Sequence, residues 1–331
     1  MQKLPAPFGP DLKVLVLAGT DRVPRKRRVP DGGGREVPLR DKAFLSLRGQ
    51  LVIEYVLDWL ASAGLEKIWV LGAAERLEQI PARHRFESIR QPLLSSIFVN
   101  LSLAHARIAP DPGEPILVVF GDHPLNTLGA LQEFLAQCAV RLDRIDFAHA
   151  VALSDAYAEY APHFRRTSVH LREMRGRASG ISLAVPSRLH RLRVLDEMYG
   201  VRKLERLGSF FGLLLNTIRW LGPRSPRALV DAVAVYLAKE AEKRAQRGSS
   251  IARSIESALQ HAVPARRLES YLARVLKAER EVRLLPVAHG GIAIDVDFQE
   301  ELRTVEQNWE ELLELAERQD RRLSDDRLTA R

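Results

Sequence analysis

The sequence predicts an α/β protein: a mostly parallel sheet covered by helices on both faces, with a helical insertion before the last strands. Three observations carry this. Short apolar runs such as Ile116-Leu117-Val118-Val119-Phe120 have the composition of strands buried on both faces. Between residues 13 and 140 such runs alternate with amphipathic helical segments in β-α-β-α-β order. Strand signals return after a long helical stretch, at 281–285 and 292–296.

In order, residues 13–18 form a first buried strand, ended by Gly19-Thr20. The stretch from Asp21 to Asp41 is rich in Pro, Gly and Arg, has neither period, and is expected to be a long mobile loop. Residues 43–47 are extended, and 51–63 are an amphipathic helix stopped by Gly64. Strands at 67–71 and 86–91, a helix at 95–108, the strand at 116–120, a helix at 128–140 and a strand at 147–153 follow. Segments 165–172 and 178–184 suit a hairpin. From 188 to about 278 the pattern is helical, broken at Gly222-Pro223, Gly248-Ser249-Ser250 and Pro264. A last helix is expected over 298–318. The organisation is thus an α/β domain of 1–187 plus 281–318, a helical insertion of 188–280, and a charged, frayed tail of 319–331.

Composition narrows the class. Hydrophobic residues at 46% and charged residues at 28% are those of a soluble globular chain. The one cysteine, Cys138, excludes an internal disulfide framework, fits a reducing cytoplasm, and sits in an apolar helical stretch as a core thiol. Met1 to Pro10 has no apolar signal region, and no transmembrane segment is expected. The apolar run Phe210–Leu221 is read first as core packing, and otherwise as a face for a homodimer or a membrane surface. The net charge of +8 is mostly arginine in scattered clusters without interleaved aromatics, so anionic phosphates are expected as partners rather than nucleic acid. No Walker lysine motif, serine elbow or paired-histidine zinc spacing is present.

The chemistry is concentrated at two acidic places. Asp122 follows five apolar strand residues and Gly121, with Pro124 ending the pairing. A carboxylate at the carboxyl edge of a central strand lies where open α/β sheets bind ligands. Its alternative is a helix N-cap. Asp295 and Asp297 close the late strand Gly291-Ile292-Ala293-Ile294-Asp295-Val296-Asp297. A carboxylate from there, brought beside Asp122, would hold Mg²⁺ against a nucleotide phosphate. Asp297 is preferred over Asp295 as that ligand, because the residue at the strand end reaches the cleft. His123 is read as a hydrogen-bonded neighbour of Asp122.

The ordered motifs resemble the MobA-like (molybdenum-cofactor guanylyltransferase-like) NTP transferases, whose fold is glycosyltransferase-A-like: Rossmann-like, of the nucleotide-diphospho-sugar transferase type. They are Leu17-Ala18-Gly19, then Asp41-Lys42-Ala43-Phe44-Leu45 through Leu57, Ser95-Ser96 with Asn100, Phe120-Gly121-Asp122-His123-Pro124-Leu125, and Ile294-Asp295-Val296-Asp297. The likeness covers 13–150 and 281–315, and is looser over 188–280. It implies transfer of a nucleoside monophosphate from a nucleoside triphosphate to a small phosphorylated acceptor (sugar, polyol or alcohol), releasing pyrophosphate. It implies Lys42 and Asp122 as catalytic residues, and Asp122 with Asp297 or Asp295 as the Mg²⁺ ligands. It further implies Leu17, Ala18, Gly19, Thr20, Arg22, Lys42, Gln91, Ser95, Ser96 and Asn100 around the nucleotide. Arg165, Arg166, Arg202 and Lys203 would gather the acceptor phosphate.

The chain also departs from the family pattern. Residues 21–41 stand where a tighter glycine-rich loop is usual, so Arg25, Lys26 and Arg27 compete with Arg22, and Gly32-Gly33-Gly34 is a displaced cradle or slack. After Ser179-Gly180 come Ile181-Ser182 in place of an asparagine. These departures suit a rival reading, a non-catalytic binding or scaffold protein on the same fold. A nucleotide-sugar glycosyltransferase ranks third, since Asp-x-Asp occurs only at Asp295-Val296-Asp297.

Overall fold

The structure is a computed structural model, and it describes residues 4–19, 27–28, 35–36, 41–93, 95–164, 167–197, 218–222 and 225–329, with side chains of the last helix through 322. Strand β1 (Lys13–Leu17) alternates its side chains between two apolar layers: Val14 and Val16 enter one, Leu15 and Leu17 the other. Two-residue strands β2 (Arg27–Arg28) and β3 (Arg35–Glu36) pair antiparallel within the stretch expected to be a loop. Another short pair, β4 (Ser46–Leu47) and β5 (Gln50–Leu51), leads into helix α1 (Val52–Ser62). Strand β6 (Ile68–Gly72), helix α2 (Ala74–Leu77), strand β7 (Glu87–Arg90), helix α3 (Ile97–Ile108), strand β8 (Ile116–Phe120) and helix α4 (Leu128–Ala139) follow. These lie within a few residues of the expected positions, apart from the single turn α2.

The second half contains strand β9 (Ile145–Leu153), helix α5 (Ser154–Ala158), strands β10 (Val169–His170) and β11 (Arg175–Ala184), helices α6 (Pro226–Ala245), α7 (Ser250–Leu259) and α8 (Ala265–Leu276), and strand β12 (Glu281–Val287). Helices α9 (Gln299–Gln307) and α10 (Trp309–Thr329) end the chain. The main sheet has eight strands in the order β12-β9-β11-β8-β1-β6-β7, with β10 beside β11. Contacts β1 to β6, β1 to β8, β6 to β7 and β9 to β12 are parallel, while β11 runs antiparallel to β8, β9 and β10. Mostly parallel is therefore correct. The chain leaves β1 for β6 and β7 on one side and returns to β8 on the other, so the switch point lies at the carboxyl ends of β1 and β8.

Helices α1, α4, α9 and α10 cover one face, where Val16, Val119, Leu57, Phe134, Val305 and Leu312 share a core. Helix α3 covers the other face at Leu15, Leu71, Ala104 and Ile116, and α8 packs beside β12 through Val275, Leu276 and Val282. Cys138 lies free and buried in α4, with its thiol pushed up to about 12 by burial, as a core thiol should be. Among the described residues no helix is long and apolar enough to cross a membrane.

Two expectations need correction. Residues 292–296 are not a strand: Gly291–Ala293 is a 3₁₀ turn, and the chain after it runs without a sheet partner. From the end of β12 at the sheet edge it crosses to the loop after β8, where Val296 N–H bonds the Asp122 carbonyl (3.2 Å). The close approach needs glycine: a Cβ on Gly290 would lie 2.6 Å from the Ala156 carbonyl oxygen, and one on Gly291 2.5 Å from that of Leu125. The supposed tail is also no loose end. Helix α10 continues into it as far as Thr329, with Gln319 buried, accepting from Gly290 N–H at 2.9 Å and donating to the Ala156 carbonyl at 2.8 Å. Asp320 accepts from Thr127 Oγ1 (2.6 Å) and Gly129 N–H (3.0 Å). Charge along the sequence concealed these buried anchors.

Candidate active site

The site is built around a place with no room for a side chain. Gly121 follows β8, and its N–H bonds the Leu17 carbonyl at 2.9 Å. A Cβ there would meet the Ala43 Cβ at 3.2 Å, the Ala18 Cβ at 3.3 Å and the Leu17 carbonyl oxygen at 3.4 Å. The ends of β1 and β8 and the turn carrying Lys42 are thus in direct contact. That turn, Lys42–Phe44, is a 3₁₀ helix entered through Asp41 in a left-handed conformation (φ 51°). Arg76 holds Asp41 by Nε at 3.0 Å and a second nitrogen at 2.9 Å. Ala43 and Phe44 are buried and fix the turn, so Lys42 extends over the cleft.

Lys42 Nζ lies 2.5 Å from Asp297 Oδ1 and 3.8 Å from Asp122 Oδ2, so one ammonium group reaches both predicted carboxylates. Asp297 is set by helix α9: Glu301 accepts the backbone N–H of Asp297 (2.9 Å) and of Phe298 (3.2 Å), a cap that holds the helix entry. Asp295 lies against Arg177 instead (3.3 Å), whose guanidinium also stacks over the Tyr157 ring at 5.5 Å. Burial raises the Asp122 carboxyl above its ordinary range; His123 and Lys42 oppose the rise, and Asp295 and Asp297 add to it.

His123, buried beside Asp122, bonds the Ile292 carbonyl through Nδ1 (2.9 Å) and presents Nε2 3.7 Å from Asp122 Oδ1. Its ring lies over Gly180, where a Cβ would come within 2.7 Å of the ring. Deeper in the sheet, His149 Nδ1 meets Ser182 Oγ at 2.8 Å, and burial first, then the charge of His123, lowers His149 to about 4.

On the other side of Gly19 three predicted nucleotide residues converge. A Cβ on Gly19 would meet Gln91 Oε1 at 2.8 Å and Asn100 Nδ2 at 3.4 Å. Ser95 Oγ donates to Asn100 Oδ1 (2.5 Å), and Ser96 caps α3 by accepting from Val99 N–H. Leu17 ends β1 and Ala18 follows it at the same edge. Thr20, Arg22, Arg165, Arg166, Arg202 and Lys203 lie outside the described residues, as does Phe210–Leu221 up to residue 217.

Sequence reasoning missed Arg177, Arg76 and the clamp on His123. The histidine's adjacency to Asp122 was the one visible signal; the two arginines are partnered across the fold.

A divalent cation is the group the fold family implies. The donors fit it: two carboxylates converging on one cation suit a hard ion that completes its shell with water and phosphate oxygens. Asp122, Asp295 and Asp297 do not form a closed cage. Among the described residues, three ligand atoms come within 4.8 Å of one another at His170, Glu242 and Glu256. There Arg175 already bonds Glu242 at 2.8 Å and Glu256 at 3.0 Å, so that group is a neutralised ionic network.

The family model for the MobA-like NTP transferase domain matches residues 32–192, a stretch that contains Lys42 and Asp122. No curated protein matches the chain. Among solved structures, a hypothetical transferase from Thermus thermophilus is similar at 22% identity and a TM-score of 0.52, over 88% of this chain and 99% of that one, a likeness of fold. A cytidylyltransferase from Leptospira borgpetersenii (16% identity, TM-score 0.34) aligns over 60% of this chain and 66% of its own. A CMP:2-keto-3-deoxy-manno-octonic acid synthetase complexed with CTP (15% identity, TM-score 0.39) aligns over 63% of this chain and 85% of its own.

Proposed function

We propose that the chain is a divalent-metal-dependent nucleotidyltransferase that moves a nucleoside monophosphate from a triphosphate to a small phosphorylated acceptor. The observation that supports it most is the meeting of Lys42, Asp122 and Asp297 at the switch point. In this reading the triphosphate lies with its base by Gly19, Gln91 and Asn100 and its phosphates toward Lys42. Lys42 then exchanges a carboxylate partner for a phosphate oxygen, a contact that strengthens as negative charge grows on the leaving pyrophosphate. An acceptor phosphate oxygen bonds to the α-phosphorus while the bond to the bridging oxygen of the β-phosphate breaks, and pyrophosphate leaves. The attacking oxygen is already anionic, so no general base is needed. Asp122 and Asp297 would hold the ion, which supplies charge neutralisation between the phosphates.

The experiment is turnover against a panel of triphosphates with phosphorylated sugars, polyols and alcohols, read by pyrophosphate release. Acceptor- and metal-dependent release with one base strongly preferred is expected; no release or binding with any triphosphate would overturn the proposal. One observation favours the scaffold reading: the chain's own cations, Lys42 and Arg177, already face the acidic groups. Metal-dependent triphosphate affinity without turnover would select it.

A further inference from the structure

We propose that Arg177 is the receptor for the acceptor's phosphate, and that the acceptor is a phosphomonoester rather than a phosphodiester or a carboxylic acid. This rests on the nucleotidyltransferase reading and adds to it a residue and a narrower substrate class. The order of strands is the first argument. Strands β1, β8 and β11 are neighbours in the sheet; Gly19 follows the first, Asp122 the second, and Arg177 lies on the third. Strand β11 pairs with β8 from Ile181 to Ala184, while its earlier residues, Arg177 among them, pair with β9 and run past the end of β8. There Gly180 lies against the His123 ring, and Arg177 reaches Asp295 at 3.3 Å. After burial, the charge of Asp295 helps to raise the Asp122 carboxyl, so these two acids lie close together. Arg177 and the cluster at Gly19 thus stand on opposite sides of Asp122. A nucleotide between Gly19 and Lys42 fills one side, and an in-line attack on its α-phosphorus comes from the side left open.

Charge and shape select the ligand. A dianionic acceptor must enter a cleft that holds Asp122, Asp295 and Asp297, while Lys42 serves the triphosphate. Arg177 brings a second cation, and its guanidinium stays charged throughout the working pH range. The ring of Tyr157, 5.5 Å away, sets the guanidinium plane, and its own hydroxyl is fixed by donating to the Phe164 carbonyl at 3.2 Å. The contact with Asp295 is long at 3.3 Å, against about 2.8 Å for a good charge-assisted pair, so a phosphate is the better partner. The divalent ion at Asp122 offsets the charge that Asp295 then leaves uncovered. A guanidinium fork binds two oxygens of its anion. A phosphomonoester keeps a further unesterified oxygen for the attack, whereas a diester or a carboxylate keeps none.

The test is calorimetry on the full chain loaded with Mg²⁺ and an α,β-methylene triphosphate, with methyl phosphate and dimethyl phosphate as probes. Wild type should bind methyl phosphate at least about 10-fold more tightly than dimethyl phosphate. Arg177→Gln should weaken methyl phosphate about 10- to 100-fold and leave triphosphate affinity within about 3-fold. Arg177→Lys should fall between, because a point charge replaces the fork. Arg177→Gln combined with Asp295→Asn removes the uncovered carboxylate, which protects folding, and methyl phosphate affinity should stay low. Recovery in that double variant overturns the inference, since Arg177 then only neutralises Asp295. Methyl phosphate that binds Arg177→Gln like wild type, or fails to bind wild type, also overturns it and leaves the triphosphate site standing. A triphosphate that fails to bind wild type, with methyl phosphate still held through Arg177, overturns the nucleotidyltransferase reading while Arg177 remains a phosphomonoester site.

Discussion

Val296 donates its backbone N–H to the carbonyl oxygen of Asp122 at 3.2 Å. This bond joins two parts of the chain separated by more than half its length, and brings Asp297 to the cleft that β8 opens. With Glu301 capping the next helix, it places a carboxylate where the sheet itself provides no strand. The convergence on Lys42 is therefore a product of backbone pairing, and side-chain changes at the site should leave the fold in place.

Lys42→Met removes the cation that faces both carboxylates. Triphosphate affinity should drop about 10- to 100-fold, measured by calorimetry, while the melting temperature holds or rises as the acidic pair binds added metal. Unchanged affinity would remove Lys42 from the site.

Gly19→Ala places a methyl group 2.8 Å from Gln91 Oε1, the far end of a flexible side chain that can move. Stability should change by less than about 0.5 kcal/mol, whereas nucleotide affinity should weaken about 10-fold because the base-side polar groups shift. Equal effects on both would mean that this cluster is structural.

His149 gives a pH signature. Burial lowers its pKa from 6.5 to about 4, so the folded state binds its proton less readily than the unfolded state. The stability it contributes is fully present above 6.5 and is lost as pH falls toward 4. Wild type should lose about 1–3 kcal/mol more than His149→Gln across that window in urea titrations. Parallel curves would contradict the assignment.

Glu242 acts at lower pH. Burial alone would raise its carboxyl, but hydrogen bonds from His170, Arg175 and the Ser168 N–H outweigh it and hold the pKa below 4.5. Its contribution is present above 4.5 and lost as pH falls through the lower folded value. Glu242→Gln should cost about 3 kcal/mol at pH 7 and flatten the acid limb of the stability curve; a neutral substitution would show the network to be idle.

Asp320→Ala tests the end of the chain. Thr127 and Gly129 lose their acceptor, and His289 loses the nearest of its carboxylate partners, 3.1 Å away. A cost of about 2 kcal/mol is expected in chemical denaturation; a frayed tail would tolerate the change.

Most of the sheet was legible because buried parallel strands such as Ile116–Phe120 are continuous apolar runs, and helices such as Val52–Ser62 have a clear period. Asp122 was legible for the same reason: it directly follows such a run. The path of 291–297 was not, since an apolar segment crossing strand ends has the composition of a strand and only its missing partner distinguishes it. The partners of Asp295 and Asp320 were equally hidden, because Arg177 and Thr127 are far away in sequence. His123 was visible as a residue, but its clamp by Ile292 and Gly180 exists only in three dimensions.

The most direct measurement of the central claim is a double-mutant cycle on metal-dependent triphosphate binding, using Asp122→Asn, Asp297→Asn and both together. If the two carboxylates share one ion, each single variant loses most of the metal dependence and the double variant loses little more than either. Asp297→Asn binding like wild type, or losses that simply add, would contradict it.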